Sequence, residues 1–374
     1  MTLPHLSEAL RTLPGYEPSE GVYSFRPPRP LSANESAYDP LPGITEAVTR
    51  AFQTANRYPD PGCRTLTRAL AAAHDIPEEQ FVVGAGTVAL LQLLFQSISE
   101  PGAEAVYAWP SFELYPILAQ LAGVTSIRVL LVDEAHDLSR MADRVTSRTR
   151  LVVICNPNNP TGTVASGDEL GRFLSRIPPT CLIVFDEAYY EFVREHDTRS
   201  GLGFCPTHPN VVVLRTFSKA YGLAGLRAGY LVAAPEVAAE LRKGVLPYSV
   251  SSIAQAAAVA AMELQEQISE RVGATVCERA RVRDALRRTG WELPESQANF
   301  LWLPLRGQAP SFAHWCITQG IAVRMFPGRG VRVTVGSAAD NDAFLAAASE
   351  WRKRLSPGAE DGQTAIHEQK TYGS

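Results

Sequence analysis

Lysine is scarce in this sequence: only four of the 35 basic residues are lysine, and the others are arginine. The 374-residue chain has a formal net charge of −4, and its longest basic run is the triplet at residues 352–354. Proteins that bind nucleic acid carry a basic patch that pairs with phosphates. Because that patch is missing, the sequence predicts that nucleic acid is not a partner.

Long apolar segments are also missing. Runs such as residues 88–91 and 93–95 are far shorter than the roughly 18 residues that a membrane-spanning helix needs. The first ten residues have neither the basic start nor the continuous apolar segment of a signal peptide. We therefore expect a soluble, cytoplasmic protein with no membrane partner.

The cysteines and histidines lack the spacings of metal sites. The six cysteines include no C-x-x-C pair, and the seven histidines include no H-x-x-x-H or H-E-x-x-H pattern. Several cysteines lie in apolar, strand-like runs, where buried free thiols are usual. The sequence predicts free thiols and no metal.

Between about residues 41 and 231, short apolar runs alternate with amphipathic stretches. This alternation is typical of a mainly parallel sheet covered by helices on both faces. Ligands of such sheets bind where the strands end. The predicted strands are Phe81–Gly84, Ala105–Trp109, Ser126–Val132, Leu151–Asn156, Leu182–Asp186, Val211–Thr216 and Ala228–Val232.

The pattern changes after Tyr248. A long helix is predicted from about Ser251 to Arg288, and a second helix from about Asp340 to Leu355. Short strands are predicted between them, at residues 299–303, 322–324 and 331–335.

The predicted fold class is α/β, with two domains. We expect a three-layer αβα large domain that carries the mainly parallel sheet, and a smaller α/β domain. The expected boundaries are residues 1–40 for an N-terminal arm and part of the small domain, 41–249 for the large domain, 250–355 for the small C-terminal domain and 356–374 for a disordered tail.

Lys219 has a context unlike that of the other lysines. It follows the strand VVVLRTF and precedes the glycine-rich AYGLAGLRAGY, whereas Lys243, Lys353 and Lys370 lie in charged helical segments or the tail. Crowding and nearby cations lower the pKa of a lysine and free its amine to attack an aldehyde or ketone. On position alone, a structural lysine paired with a carboxylate explains Lys219 equally well.

Other polar groups also follow predicted strands. Asp186 ends the strand of LIVFDEAYYEF, with Tyr189 three residues later, and Asn159 lies in the turn of VICNPNNPTG. FVVGAGTVALLQLL places Gly86 and Thr87 at the start of a helix, whose free N–H groups and dipole favour an anion. Taken alone, the acid is an ordinary cap or ion-pair partner, and the turn is ordinary backbone chemistry.

Together these features are the parts of a pyridoxal 5'-phosphate (PLP) site. Such a site needs a lysine for the cofactor aldehyde, a carboxylate for the pyridinium nitrogen, donors for the ring oxygen and a cradle for the phosphate. All four ordinary structural interpretations would have to hold at once for the site to be absent. The sequence therefore predicts PLP as the cofactor.

The same segments resemble fold-type I, PLP-dependent aminotransferases of class I/II, most closely the histidinol-phosphate and aromatic (phenylalanine) aminotransferase branch. The similarity runs from about residue 31 to residue 351. The matching segments, in family order, are LSANES, RYPDP, VGAGTVAL, WPSFELYP, CNPNNPTG, VFDEAYYEF, RTFSKAYGLAGLRAGY, ESQANFLWLPL and GVRVTVG.

The resemblance implies catalytic roles for three residues. Lys219 would bond to the cofactor aldehyde and then move a proton between the substrate α-carbon and C4' of the cofactor. Asp186 would keep the pyridine nitrogen protonated through a charge-assisted hydrogen bond. Tyr189 would donate a hydrogen bond to the ring hydroxyl, as would Asn159.

The resemblance also implies how cofactor and substrate are held. Phe112 would stack on the cofactor ring, and Tyr58 would reach the phosphate in the neighbouring subunit of a homodimer. Arg332 would clamp the substrate carboxylate, with Arg324 as a possible helper. Further phosphate ligands would be Gly86, Thr87, Thr216, Ser218 and Arg227, and further substrate contacts Asn34 and Tyr23 on the arm.

Other function classes fit less of the sequence. Gly84, Gly86 and Ala89 satisfy the G-x-G-x-x-A fingerprint of an NAD-dependent dehydrogenase, but the next strand ends in Trp109 and Pro110 where a ribose-binding acid is expected. A transcription regulator with an aminotransferase-like domain would need an added DNA-binding module. A PLP decarboxylase or lyase stays open, because the sequence does not fix which substrate bond is held perpendicular to the ring.

The substrate is the least determined part of the prediction. Typical histidinol-phosphate enzymes carry an acidic stretch where this chain has Val88 and Ala89, and the chain looks more like the phenylalanine-type enzymes. That branch usually has arginine where this chain has Pro110. We expect transamination between a phenylalanine-like amino acid and a 2-oxo acid, with histidinol phosphate or a specialised biosynthetic substrate as alternatives.

Overall fold

A computed structural model describes residues 7–13 and 29–355. The predicted contact of Tyr23 and the predicted disordered tail at residues 356–374 lie outside these residues.

The strands are β1 (Arg29–Pro30), β2 (Phe81–Gly84), β3 (Glu104–Trp109), β4 (Thr125–Leu130), β5 (Thr149–Cys155), β6 (Leu182–Asp186), β7 (Val211–Thr216), β8 (Gly229–Val232), β9 (Phe300–Leu303), β10 (Ile321–Ala322), β11 (Arg324–Phe326) and β12 (Gly330–Thr334). The helices are α1 (Glu8–Arg11), α2 (Pro42–Phe52), α3 (Arg64–His74), α4 (Gly86–Ser97), α5 (Leu114–Leu121), α6 (Leu138–Asp143), α7 (Gly167–Leu174), α8 (Pro235–Lys243), α9 (Ser252–Glu263), α10 (Gln265–Arg288), α11 (Ala309–Thr318) and α12 (Ala338–Leu355).

Seven strands form one twisted sheet in the order β2-β8-β7-β6-β5-β3-β4. The strands β4, β3, β5, β6 and β7 pair in parallel, whereas β8 runs antiparallel to both of its neighbours. The predicted mainly parallel sheet is confirmed. The antiparallel direction of β8 was not predicted, because an apolar run carries no sign of its orientation.

Helices cover both faces of this sheet. Along β5 the side chains alternate between the two faces: Leu151 and Val153 pack with α4 and α5, whereas Val152 and Ile154 pack with α6 and α7. A strand buried on both faces reads as a continuous apolar run, as these strands do. The predicted three-layer αβα architecture is confirmed.

A smaller unit follows the large sheet. Its three-stranded antiparallel sheet has the order β11-β12-β9, and the short strand β1 pairs in parallel with β10. Leu31, directly after β1, is buried in a core that also contains Leu286, Phe312 and Phe344. The arm segment at residues 29–31 is therefore part of this smaller α/β unit.

The predicted helix from Ser251 to Arg288 is wrong in one respect, because it is two helices, α9 and α10. Leu264 leaves the helical conformation between them, with φ −107° and ψ 32°. Its side chain packs so closely on Gly43 of α2 that a Cβ there would lie 3.2 Å from Leu264 Cδ1. A tertiary contact ends the helix where the sequence has no glycine or proline.

The strand predicted at residues 322–324 is also wrong, since it is two short strands, β10 and β11, on either side of Val323. They pair with different partners, β1 and β12. The division of the chain at residue 250 stays a prediction. Helix α9, beyond that position, packs against α2 and α3 of the large unit.

Within residues 7–13 and 29–355, no helix is both long and apolar enough to cross a membrane. Over the same part of the chain, no group of three or more histidine, cysteine, aspartate or glutamate side chains is arranged to hold a metal ion. All six cysteines are free, and Cys277 alone is exposed.

Candidate active site

The candidate residues gather where parallel strands of the large sheet end. Asp186 is the last residue of β6 and Thr216 the last residue of β7. Asn159 follows β5, and Lys219 follows β7, each within four residues of the strand end. Neighbouring parallel strands deliver their carboxyl ends to one edge of the sheet, so these side chains share a single cleft.

The amine of Lys219 is held in a partly buried, cationic environment. Its Nζ donates a hydrogen bond of 2.8 Å to the carbonyl oxygen of Ala33. Burial, the largest cause, and the positive charges of Arg332 and Arg227 together lower the pKa of Lys219 to about 7, against an opposing effect of Glu35. A large fraction of the amine is therefore unprotonated at neutral pH, as a nucleophile requires.

Three consecutive residues of the arm contact three site residues. The carbonyl of Ser32 accepts a bond of 2.6 Å from Arg332, and the carbonyl of Ala33 accepts the bond from the Lys219 amine. Asn34 donates a bond of 3.0 Å from Nδ2 to the hydroxyl of Tyr189. The segment at residues 32–34 therefore connects side chains from both units.

Asn34 is itself held rigidly. It has a positive φ of 55°, a conformation that asparagine adopts more readily than most residues. Its backbone N–H donates to the hydroxyl of Thr334, and that hydroxyl donates back to Asn34 Oδ1. Asn34 is only 1% exposed. The resulting orientation directs its amide at Tyr189, whose burial raises the pKa of the phenol to about 12.

Asp186 is a buried carboxylate with one oxygen held and one oxygen available. Oδ2 accepts a hydrogen bond of 2.7 Å from the hydroxyl of Tyr115, whereas Oδ1 has no hydrogen-bond partner among the described residues. Burial raises the pKa of Asp186, and the bond from Tyr115 opposes this. An unpaired buried carboxylate oxygen is costly, so it fits a cationic N–H donor such as a pyridinium.

Arg332 reaches from β12 of the small unit into the cleft. It is buried, its Nη1 donates to Asn159 Oδ1, and its guanidinium carbon lies 5.4 Å from the ring centroid of Phe300. The planar fork of an arginine suits two parallel bonds to a carboxylate. Arg332 and Asn159, both predicted from the sequence, are thus in direct contact.

A small cradle lies at the start of α4. A Cβ atom added to Gly86, which has a φ of +79°, would lie 2.5 Å from Nη2 of Arg227. Arg227 also donates to the hydroxyl of Ser218, at 3.3 Å, and Thr216 accepts a bond from the Ser218 backbone N–H. Thr87 occupies the first turn of α4, where N–H groups are free to bind an anion. These residues fit a phosphate group.

Two remaining candidates have other partners. Phe112 packs edge-to-face on Tyr115, with 5.6 Å between ring centroids. Arg324 forms a bidentate ion pair with Glu113, with N–O distances of 2.7 and 3.1 Å.

Tyr58 lies apart from the cleft residues of its own chain. Its side chain is 83% exposed and packs on the ring of Tyr248, with 4.7 Å between the ring centroids. The structure therefore leaves Tyr58 facing outward, as its predicted role in a neighbouring subunit requires.

A buried ion pair supports the cleft from behind. Arg215, one residue before the end of β7, donates bonds of 2.9 and 2.7 Å to Glu187, which directly follows Asp186. Glu187 also accepts bonds from the Ser200 hydroxyl and the Gly201 backbone. Because both ions are well satisfied, they fix the ends of β6 and β7 relative to each other.

The sequence interpretation missed four residues of this site. Tyr115 lies in the first turn of α5, three positions after Phe112, whose ring it contacts, and it belongs to the quoted segment WPSFELYP. Glu113 lies in the quoted segment WPSFELYP, but its arginine partner is 211 positions away in sequence. Ser32 and Ala33 act through backbone carbonyls, which every residue type carries, so no side-chain pattern could reveal them.

Comparison with known proteins points to one family. Residues 29–347 match the model of the family described as aminotransferase class I and II. The chain is 50% identical to an aromatic amino acid aminotransferase from Streptomyces coelicolor, over 95% of this chain and 99% of that protein. It is also 50% identical to an aromatic amino acid aminotransferase from Thermobifida fusca, over 94% and 98% of the two chains.

The fold is similar to that of a solved relative. The histidinol-phosphate aminotransferase from Sinorhizobium meliloti, solved in complex with pyridoxal 5'-phosphate, superposes with a TM-score of 0.86 and 27% identity. The match covers 95% of this chain and 99% of that one.

Proposed function

The chain belongs to the class I and II aminotransferases and is a PLP-dependent enzyme, and we propose that its amino donor is an aromatic, phenylalanine-like amino acid. The acceptor is a 2-oxo acid, as aminotransferases require. Support for the aromatic donor comes from the names of its relatives at 50% identity from Streptomyces coelicolor and Thermobifida fusca. A cytoplasmic location stays a prediction from the sequence.

The observation that carries the proposal is the arrangement around residues 32–34. These residues contact the Lys219 amine, the Tyr189 hydroxyl and the Arg332 guanidinium. A nucleophile, a phenol and a carboxylate-binding cation thus face one cleft. This is the set that an amino acid and a carbonyl cofactor together require.

The described residues fit PLP in both charge and space. When bound, the cofactor supplies an aldehyde that bonds to amines and a protonated ring that draws electrons from the substrate. The free oxygen of Asp186 would accept a hydrogen bond from the ring nitrogen, and Asn159 and Tyr189 would donate to the ring hydroxyl. Phe112 would pack against the ring face. Gly86, Thr87, Thr216, Ser218 and Arg227 would hold the phosphate.

Lys219 is the residue that we propose moves the proton. Its Nζ, with a pKa lowered mainly by burial to about 7, can accept a proton from the substrate α-carbon and release it again near neutral pH. Arg332 would orient the substrate by binding its carboxylate, exchanging its present bonds to Asn159 and Ser32 for two bonds to the ligand. Asn34 would hold Tyr189 in place.

A homodimer would complete this site. Tyr58 is exposed on its own chain, and its hydroxyl is free to reach the phosphate cradle of a second copy. The RYPDP segment that contains Tyr58 supports this part of the proposal through its resemblance to the family.

The donor is tested by single-turnover reactions of the PLP-loaded enzyme, followed by the loss of the cofactor absorbance band. Phenylalanine and tyrosine should react faster than histidinol phosphate at equal concentration. Histidinol phosphate is the second candidate because of the structural similarity to the Sinorhizobium meliloti enzyme. Rapid reaction with histidinol phosphate alone would overturn the aromatic assignment.

A further inference from the structure

One row of side chains on the small sheet contacts the large unit at three points. Arg324, Arg332 and Trp302 are direct cross-strand partners on β11, β12 and β9. Side chains opposite each other in an antiparallel pair project from the same face, with Cβ atoms about 5 Å apart. The row therefore continues on both sides of the arginine that we propose binds the substrate carboxylate.

Each member of the row has its own partner across the cleft. Arg332, in the centre, reaches Asn159, and Trp302, on one side, donates a bond of 3.0 Å to Glu134. Arg324, on the other side, pairs with Glu113. Two cations thus lie next to each other in the cleft, and Arg324 is paired with a carboxylate of the protein.

The pair between Arg324 and Glu113 is well formed and partly shielded. Two nitrogens of the Arg324 guanidinium, Nε and Nη2, each donate a hydrogen bond to a different carboxylate oxygen of Glu113. This bidentate geometry fixes both side chains. The Arg324 side chain is 17% exposed and that of Glu113 is 35% exposed. Glu113 directly follows Phe112, the residue that we propose packs on the cofactor ring.

We propose that Glu113 determines donor specificity by neutralising Arg324. With this carboxylate in place, the cation beside Arg332 is already paired, and a second anion on the substrate would have to displace Glu113 and leave its charge unpaired. Donors with a distal carboxylate are therefore disfavoured relative to donors with an uncharged side chain. This inference rests on the proposed function, because it concerns the same cleft.

Glu113 acts through Arg324, so it is a positioning residue. Removing its charge should take away the carboxylate that Glu113 supplies to Arg324, so that a distal carboxylate of the donor can pair with that guanidinium. The expected change is a shift in the preference of the enzyme between distally anionic donors and donors with uncharged side chains. A carboxylate that only connected the two units would alter the reaction of both classes to the same extent.

The test is Glu113→Gln in the PLP-loaded enzyme, with single-turnover rates measured against donor concentration. Glutamate and aspartate are the distally anionic donors, and phenylalanine and leucine are the donors with uncharged side chains. The ratio of apparent second-order rate constants, anionic over uncharged, should rise about tenfold. The gain should appear in the apparent Kd of the anionic donor rather than in its limiting rate, and a gain with either anion supports the inference.

Two further variants isolate the cause. The double variant Glu113→Gln, Arg324→Gln should lose the gain, because the Arg324 guanidinium is then absent. Glu134→Gln is the matched control, since Glu134 also bridges the units, through Trp302 and an ion pair with Arg306. It should leave the donor ratio at the wild-type value.

The inference is overturned if Glu113→Gln leaves the donor ratio unchanged, or if the double variant keeps the gain. Failure of the proposed function has a different signature, namely a wild-type enzyme that does not react with phenylalanine or tyrosine. In that case the ratio of glutamate or aspartate to leucine still tests the role of Glu113.

Discussion

The amine of Lys219 bonds to the backbone carbonyl of Ala33, 186 positions earlier in the chain. This bond holds the amine at the mouth of the cleft through an acceptor that is neutral. A carboxylate at that place would stabilise the charged ammonium and raise its pKa, whereas a carbonyl does so far less. The pairing therefore keeps the amine both positioned and available for reaction.

The first prediction concerns the scarcity of lysine. Lys219→Arg should lower transamination by about a thousandfold or more, because a guanidinium stays protonated and cannot bond to an aldehyde. Borohydride treatment of the wild type should attach the cofactor covalently to Lys219, as peptide mass analysis can verify. Lys243→Arg, on the exposed end of α8, is the control and should keep normal turnover. Full activity of Lys219→Arg would refute the assignment.

The second prediction is a pH dependence. The rate at which apoenzyme bonds covalently to PLP should rise with pH and reach half its maximum near pH 7, because the Lys219 amine loses its proton there. Arg332 lowers this pKa through its positive charge, so Arg332→Gln should move the midpoint to higher pH. Stopped-flow absorbance across pH 5.5 to 9, with the wild-type rate profile as the reference, measures both. An unmoved midpoint in the variant would contradict the electrostatic explanation.

The third prediction concerns Asp186. Asp186→Ala should lower turnover by about a hundredfold or more, because the ring nitrogen loses its anionic partner, while the fold is largely kept. Burial raises the pKa of Asp186, so the charged carboxylate destabilises the native fold. The variant removes this destabilising charge. Turnover and thermal unfolding should be measured together. Asp342→Asn, in a surface ion pair with Arg281, serves as the control. Near-normal turnover in Asp186→Ala would argue against the role.

The fourth prediction concerns Tyr115. Tyr115→Phe removes the hydroxyl that donates to Asp186 and should weaken PLP binding about 3- to 10-fold, the effect of one lost hydrogen bond. The bond lowers the pKa of Asp186, so its loss raises that pKa and reduces the negative charge available to the cofactor. Fluorescence titration of apoenzyme with PLP measures the affinity. Tyr107→Phe removes a buried hydroxyl from the ring that packs on Tyr115 and should leave PLP affinity unchanged.

The fifth prediction concerns the subunit boundary. Tyr58→Phe should weaken PLP binding about 3- to 10-fold, because one phosphate hydrogen bond is lost. Sedimentation should give a mass near twice the 40.6 kDa of one chain. Tyr248→Phe, on the ring that supports Tyr58, is the control and should bind PLP normally. A monomer with full PLP affinity would contradict the shared site.

The sequence predicted the secondary structure well wherever a local residue pattern marks the ends of an element. Strands β2, β6 and β7 begin and end at the predicted residues, because buried strands are short, apolar and bounded by turns. Asp186 and Lys219 could be found for the same reason, since each lies at or just after such a strand. The role of Arg332 followed from the family resemblance, whereas its contact with Asn159 was not predicted.

What the sequence did not reveal depends on contacts between distant residues. Leu264 interrupts a helix because it packs on α2, and no local signal marks that contact. Ser32 and Ala33 contribute only backbone oxygens. Glu113 looks like any surface acid until the small sheet places Arg324 beside it.

The contacts of residues 32–34 also bear on how the molecule folds. Ser32 is 300 positions from Arg332, and Ala33 is 186 positions from Lys219. Such distant contacts form late, because closing long loops costs entropy before any contact stabilises them. The core of the seven-stranded sheet can pack without this segment, but the cleft cannot. Binding competence should therefore appear last during refolding, after the bulk of the secondary structure has formed.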